Sequence, residues 1–302
     1  MESQVKEPKI GIALGGGGAK GAAHIGVLKV FEKYGIKIDA VAGASSGSIV
    51  GAGHALGLTP EEILKRSESF NKRKFLKISS FHFFHESLIK SKDISKVIKE
   101  IVGEATFEDT KIPFQVVAVD LETGEEVTLS TGKIWKAVRA SSGIPGIFSP
   151  FFIDGRYLVD GGLLNNVPVD ALRRNKDINI VIGVEIGSLT SRQYISGMIW
   201  EKYYRKPEAF KLYPGFLTRL KLNFTLMLHI LLRSIDIIRD EAQQKRYAFA
   251  KPDIIIKPEL EGISLLEFNR YDEAVKAGMA ATEAIIPKLF DLIAKKKEEL
   301  NK

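Results

Sequence analysis

Two glycine-bearing turns, separated by one helix, constrain this chain more than any other feature of its sequence. The first, Gly15-Gly16-Gly17-Gly18-Ala19-Lys20-Gly21, follows a predicted strand over residues 9–14 and precedes a predicted helix over 22–34. The second, Gly43-Ala44-Ser45-Ser46-Gly47, lies between a short strand, 38–42, and a helix over 46–56. Strand, turn and helix repeated in this order argue for an α/β sheet with helices on both faces.

The rest of the chain fits the same architecture. Gly35 and Gly57 stand where helix caps belong, and Thr59-Pro60-Glu61-Glu62 reads as an N-cap, a first-turn proline and a capping box. Strands over 114–120 and 126–129 flank Thr123-Gly124, and strands over 151–153 and 156–159 flank the hairpin signal Asp154-Gly155. Residues 178–186 are almost continuously apolar, as a strand buried on both faces should be. Leu217, Leu220, Phe224, Leu228, Leu231, Ile235 and Ile238 recur at helical spacing. A last strand over 253–256 and a helix over 271–300, with Pro287 as a kink, complete the pattern. Neither a repeat nor a linker breaks it, so residues 1–302 read as one domain.

Composition removes several chemistries. The 302 residues are 45% hydrophobic and 27% charged, which suits a globular core. Cysteine is absent, which excludes disulfides, thiolate metal sites and a cysteine nucleophile. Residues 1–8 are polar, unlike a signal peptide. The longest apolar stretch, 226–232, falls well short of the roughly 20 residues that span a bilayer. A cytoplasmic protein is therefore the expectation. The net charge of +7 favours an anionic partner, nucleic acid or a phospholipid surface, but taken by itself it is better explained by a solvated lysine-rich surface.

The first turn offers unobstructed N–H groups at a helix N-terminus, a site that suits a phosphate or a transient oxyanion. Gly16, Gly18 and Gly21 also match G-x-G-x-x-G. The second turn decides between the readings, because it fits G-x-S-x-G in the strand-to-helix context of a nucleophile elbow. Such a turn would present Ser45 in strained, exposed geometry, with Ser46 and Ser48 beginning the helix. A dinucleotide fold would need an acidic residue at the end of the second strand, whereas Asp39 lies near its beginning. A P-loop fails because Lys20 is followed by Gly21. The competing reading of Ser45 is a turn built for small-residue packing.

A serine needs a base. His24 and His54 fall within the two helices just described, His82 and His85 lie among Phe81, Phe83 and Phe84, and His229 sits on the long apolar helix. None occupies a loop after a late strand. The alternative base is Asp160, which follows the strand 156–159 and precedes Gly161 and Gly162. Its plain alternative is a turn aspartate.

These segments resemble the patatin-like phospholipases. The stretch Gly16-Gly17-Gly18-Ala19-Lys20-Gly21 is similar to the family's oxyanion loop, Gly43-Ala44-Ser45-Ser46-Gly47 to its elbow, and Asp160-Gly161-Gly162 to its D-G-[AG] motif. Ala140-Ser141-Ser142-Gly143-Ile144-Pro145, with Phe148 and Pro150, resembles a fourth block, and the four occur in family order over residues 10–169. The resemblance implies a three-layer α/β/α fold with a mostly parallel central sheet and a Ser45–Asp160 dyad. It also implies an oxyanion hole of Gly16, Gly17 and Gly18, a covalent acyl-serine, and no metal or cofactor. The implied substrate is a lipid or other acyl ester. A catalytically inactive member serving as a lipid- or protein-binding module is the alternative.

Residues 199–221 carry Trp200, Tyr203, Tyr204, Phe210, Tyr213 and Phe216 together with six basic and two acidic residues, a local charge of +4. Aromatics mixed with cations suit the surface of an anionic membrane, and a helical excursion over about 190–250 is a candidate lipid-facing element. Packing on the body of the protein is the competing reading. No nucleic-acid recognition motif accompanies the charge, so nucleic acid is not an expected partner.

Overall fold

The computed structural model describes residues 5–72, 91–187, 216–263, 265 and 267–302. Strand β1 (Ile10–Leu14) leads through a 3-10 turn, Gly18–Gly21, into helix α1 (Ala22–Lys33), and β2 (Ala40–Ala44) leads into α2 (Ser46–Ala55). Helices α3 (Pro60–Lys72) and α4 (Ser91–Val102) precede β3 (Phe114–Asp120) and β4 (Glu126–Leu129). After α5 (Ile134–Ser141) comes the hairpin of β5 (Phe151–Ile153) and β6 (Arg156–Asp160). The chain continues through α6 (Val169–Arg173), β7 (Ile180–Val184), α7 (Phe216–Phe249), β8 (Ile254–Ile256) and α8 (Tyr271–Leu300), which runs through Pro287 as one helix.

The strands form one sheet in the order β5-β6-β3-β2-β1-β7-β8, with β4 also beside β3. Strands β3, β2, β1, β7 and β8 are parallel; β4 and β6 run against them, and β5, antiparallel to β6, runs in their direction again. Alternation along β1 explains the layering. Ile10, Ile12 and Leu14 join the large cluster built with α1, α2, α4, α5 and α8, whereas Ala13 faces α6 on the other side. Small side chains on that second face let α6 and the end of α7 approach closely, completing three α/β/α layers.

Strand β2 begins two residues later than the sequence pattern suggests. Asp39 occupies the edge instead, its carboxylate accepting the Ile10 N–H at 2.9 Å while its own N–H bonds the Ile10 carbonyl at 2.7 Å. The ladder is thereby displaced so that Ala44 is its last residue and Ser45 leaves directly from its end. The capping box forms as expected, with the Glu62 N–H donating to Thr59 Oγ1 and the Thr59 N–H to Glu62 Oε2.

Helices α1 and α8 touch backbone to backbone. A Cβ at Gly26 would lie 2.1 Å from the Val275 carbonyl oxygen, and one at Gly278 would lie 2.0 Å from that of Ala23. The C-terminal helix is thus fitted against the helix that follows the glycine loop.

Candidate active site

Register along β3 brings Ser45 and Asp160 together. Ala44 pairs with Val117 and Asp160 pairs with Ala118 on the same edge of β3, opposite β4, so the end of β2 and the end of the antiparallel β6 meet there. The residue after Ala44 and the last residue of β6 therefore share a row although 115 positions separate them. Ser45 Oγ donates to Asp160 Oδ2 at 2.6 Å. Gly161 makes this close junction possible, since a Cβ there would stand 2.1 Å from the Val117 carbonyl oxygen.

Ser45 is the N-cap of α2, with φ 49° and ψ −124°. Positive φ is costly for a residue with a Cβ, on the order of 1–3 kcal/mol, and persists only where the surroundings impose it. Here the Ser45 N–H donates to Ser141 Oγ at 2.8 Å, and its carbonyl accepts the Ser48 hydroxyl at 2.6 Å. The turn is strained as expected but not exposed. Ser45 is only 4% accessible because Ile49, Ile144, Phe148 and Leu265 enclose the cavity at whose base it stands.

Asp160 is almost as buried, at 7%. Burial pushes its carboxyl up to about 6; the hydrogen bonds from Ser45 and the Gly162 N–H, with the positive charge of Arg239, hold it from rising further. A carboxylate with that affinity for a proton is a far better base than one in water.

The glycine loop is fixed on every side but one. The Gly15 N–H donates to the Val184 carbonyl at 3.0 Å, and the Gly15 carbonyl accepts from His24 Nε2 at 2.7 Å. Burial pushes His24 down to about 4, so the ring is a neutral donor at physiological pH. Gly16 is held by Asn166, and the Gly17 N–H donates to Ser46 Oγ at 3.1 Å. Gly18, at φ 58°, is the one whose N–H meets no acceptor among the described residues. Gly43 lies in β2, and Gly47 packs under the end of β1, where a Cβ would stand 2.1 Å from the Leu14 carbonyl oxygen.

Lys20 and Gly21 lie behind the loop. Lys20 is buried, which lowers its ammonium pKa; Asp236 and Asp240 oppose that shift, and Arg239 reinforces it. These three residues come from α7, whose Arg239 also donates to the Gly187 carbonyl at 2.7 Å and pairs with Asp236 at 2.9 Å. Gln243 of the same helix grips Val167, accepting its N–H at 2.8 Å and donating to its carbonyl at 3.3 Å.

His24 and His54 bond neither Ser45 nor Asp160. His82 and His85, with Phe81, Phe83 and Phe84, lie outside the described residues, as does the side chain of His229. Residues 199–215 likewise lie outside them, and of 216–221 only the helical backbone is described. Among the described residues there is no cluster of three metal-ligating side chains and no helix long and apolar enough to cross a membrane.

The model of the family described as patatin-like phospholipase matches residues 12–173, just over half of the chain. The chain belongs to that family. An NTE family protein of Mycobacterium tuberculosis is 35% identical over 178 residues, 59% of this chain and 49% of that one. A lysophospholipase of Meyerozyma guilliermondii is 28% identical over 285 residues, 89% of this chain and 18% of that one. This patatin-like chain thus spans about half the length of the first relative and less of the second. The crystal structure of VipD from Legionella pneumophila shares the fold, with a TM-score of 0.52 and 14% identity over 94% of this chain and 67% of that one.

Three supports of the patatin-like site, Gly187, Arg239 and Gln243, lie beyond the family match. Sequence reasoning missed them, together with Asn166. Only Asn166 had a local signal, lying in the same short segment as the Asp160-Gly161-Gly162 motif.

Proposed function

We propose that this patatin-like protein hydrolyses acyl esters of lipids through a Ser45–Asp160 dyad. The 2.6 Å hydrogen bond between Ser45 Oγ and Asp160 Oδ2, in a buried site, carries the reading. Asp160 takes the serine proton as Oγ forms a bond to the ester carbonyl carbon. The tetrahedral oxyanion that results is stabilised by main-chain N–H groups of the glycine loop, an effect commonly worth several kcal/mol. Gly18 offers its N–H directly, and Gly17 does so when the oxyanion replaces Ser46 Oγ. Gly16, the third expected donor, has its N–H on Asn166 and serves to hold the loop. Collapse of the intermediate breaks the ester C–O bond, and Asp160 returns its proton to the departing alcohol. Asp160 then deprotonates water as it attacks the acyl-serine; the bond from the acyl carbon to Ser45 Oγ breaks, the proton passes from Asp160 to Oγ, and the fatty acid leaves.

The lysophospholipase relative supports a lysophospholipid or phospholipid as the ester, and the net charge of +7 supports peripheral contact with an anionic membrane from the cytoplasmic side. Salt-sensitive binding to anionic but not neutral vesicles checks the second point. Fluorophosphonate labelling tests the dyad. Wild-type protein labels at Ser45, and Ser45→Ala loses both the label and ester hydrolysis. A label mapped to Ser46, or full activity in Ser45→Ala, refutes the dyad.

A further inference from the structure

Two cavities meet beside the nucleophile. One, about 430 Å³ including space open to solvent, holds Ser45 at its base, with Ile94, Ile144, Phe148 and Leu265 in its wall. The other, about 340 Å³ by the same measure, lies past Ile49 and is lined by Ala19, Gly21, Ala22, Val50, Ser67 and Tyr271. Gly18, Ser46, Ile49 and Phe268 belong to both walls. A single layer of residues therefore divides them, and Phe268 is the largest side chain in that layer.

Polarity indicates what each cavity receives. Among the described residues that line the two cavities none carries a charged side chain, so these walls offer a lipid headgroup no ionic partner. Polar atoms gather at the Ser45 end, where Ser142 Oγ is buried with no hydrogen-bond partner among the described residues. Ser46 Oγ, in the dividing layer, is already engaged by the Gly17 N–H. The far cavity keeps its room because its floor is made of Ala19, Gly21 and Ala22, and a Cβ at Gly21 would stand 2.6 Å from Ser46 Cβ. An occupant that enters from Ser45 and continues past Phe268 must be unbranched and apolar.

Resting on Ser45 as the nucleophile of an acyl hydrolase, we propose that the far cavity is a distal acyl subsite and that Phe268 sets the chain length it admits. The ester carbonyl stays at Ser45, the first methylenes run over Ile49, and a long chain passes Phe268 to end near Val50 and Tyr271. Phe268 belongs to the short turn Phe268–Arg270 ahead of α8 and is only partly buried where it packs against the rim of the main core, so Phe268→Ala removes no fully buried side chain.

Each methylene transferred from water into an apolar site contributes about 0.8 kcal/mol, or roughly fourfold in kcat/KM. The test measures kcat/KM for 4-nitrophenyl esters from acetate to laurate with wild type, Phe268→Ala, and the cavity-filling Val50→Phe and Val50→Leu. Phe268→Ala should raise the laurate-to-acetate ratio by roughly fourfold or more. Val50→Phe should lower it by about tenfold, and Val50→Leu, which adds less bulk and serves if Val50→Phe does not fold, should lower it about threefold. A ratio unchanged in Phe268→Ala and in the folded Val50 variants overturns the subsite. Wild-type protein that neither labels at Ser45 nor hydrolyses any ester overturns the acyl-hydrolase reading itself, which separates the two failures.

Discussion

Asn166 holds Gly16 by both of its main-chain groups, Oδ1 accepting the N–H at 3.1 Å and Nδ2 donating to the carbonyl at 3.3 Å. Such a two-point grip fixes the orientation of the peptide plane as well as its position. The next two N–H groups, those of Gly17 and Gly18, take their direction from it.

Asn166→Ala should therefore lower kcat by about 10- to 100-fold with little change in KM, because a misdirected donor matters most when the oxyanion forms. Asn166→Asp should be at least as slow, since it exchanges the Nδ2 donor for negative charge beside the developing oxyanion. Steady-state kinetics on a soluble ester check this, and a rise in KM with constant kcat would argue instead for a role in ground-state binding.

The strained turn at Ser45 should be visible as stability. Ser45→Gly and Ser45→Ala both lose the nucleophile, but only glycine adopts φ 49° and ψ −124° without steric cost. Ser45→Gly should thus be more stable than Ser45→Ala by about 1 kcal/mol in urea denaturation. Equal stabilities would mean that the surroundings, and not the backbone, carry the strain.

Activity should rise with pH through about 6, where burial places the Asp160 carboxyl. Below that value the base is protonated and cannot accept the serine proton. Asp160→Asn should remain almost inactive at every pH, and His54→Gln and His229→Ala should keep most activity and the same rising limb. Loss of catalysis in either histidine variant with an intact fold would restore the histidine alternative.

Stability should respond to pH with two opposed slopes. Asp160 is raised above the ordinary carboxylate value, so the folded protein binds the extra proton and stability falls as pH rises from about 4 to about 6. His24 is lowered to about 4, so the unfolded chain binds the extra proton and stability is lost as pH falls from about 6.5 to 4. Asp160→Asn removes the first slope. That variant should gain up to about 3 kcal/mol at neutral pH, less the cost of altered hydrogen bonds, and should show steeper acid destabilisation than wild type. Denaturation midpoints at pH 4 and pH 7 measure both effects.

The sequence disclosed those parts of the site that local backbone chemistry dictates. Four consecutive glycines between a strand and a helix, and a serine flanked by Gly43 and Gly47, leave few conformations open. Asp160 was legible as a strand-end aspartate, but its partnership with Ser45 depends on an antiparallel strand that meets the end of β2 along one edge of β3, for which no local pattern exists. The same holds for Gln243 on Val167 and Arg239 on Gly187, contacts of side chains with a distant backbone that leave no periodic trace. Strand β2 was misjudged by two residues because a single Asp39 side chain replaced a ladder bond.

The interlock of Gly26 with Val275 and of Gly278 with Ala23 bears on how this chain can be divided. The family match stops at residue 173, which makes a cut there tempting for expression. Such a fragment would lack β7, leaving one edge of β1 without its neighbour, and would strip α1 of the helix moulded to its spine. The glycine loop is strung between those two supports, so its anchorage at both ends would be forfeited although Ser45 and Asp160 were both retained. A minimal fragment that keeps this fold must reach past residue 278, and a split version should be rejoined by supplying α8 as a separate peptide.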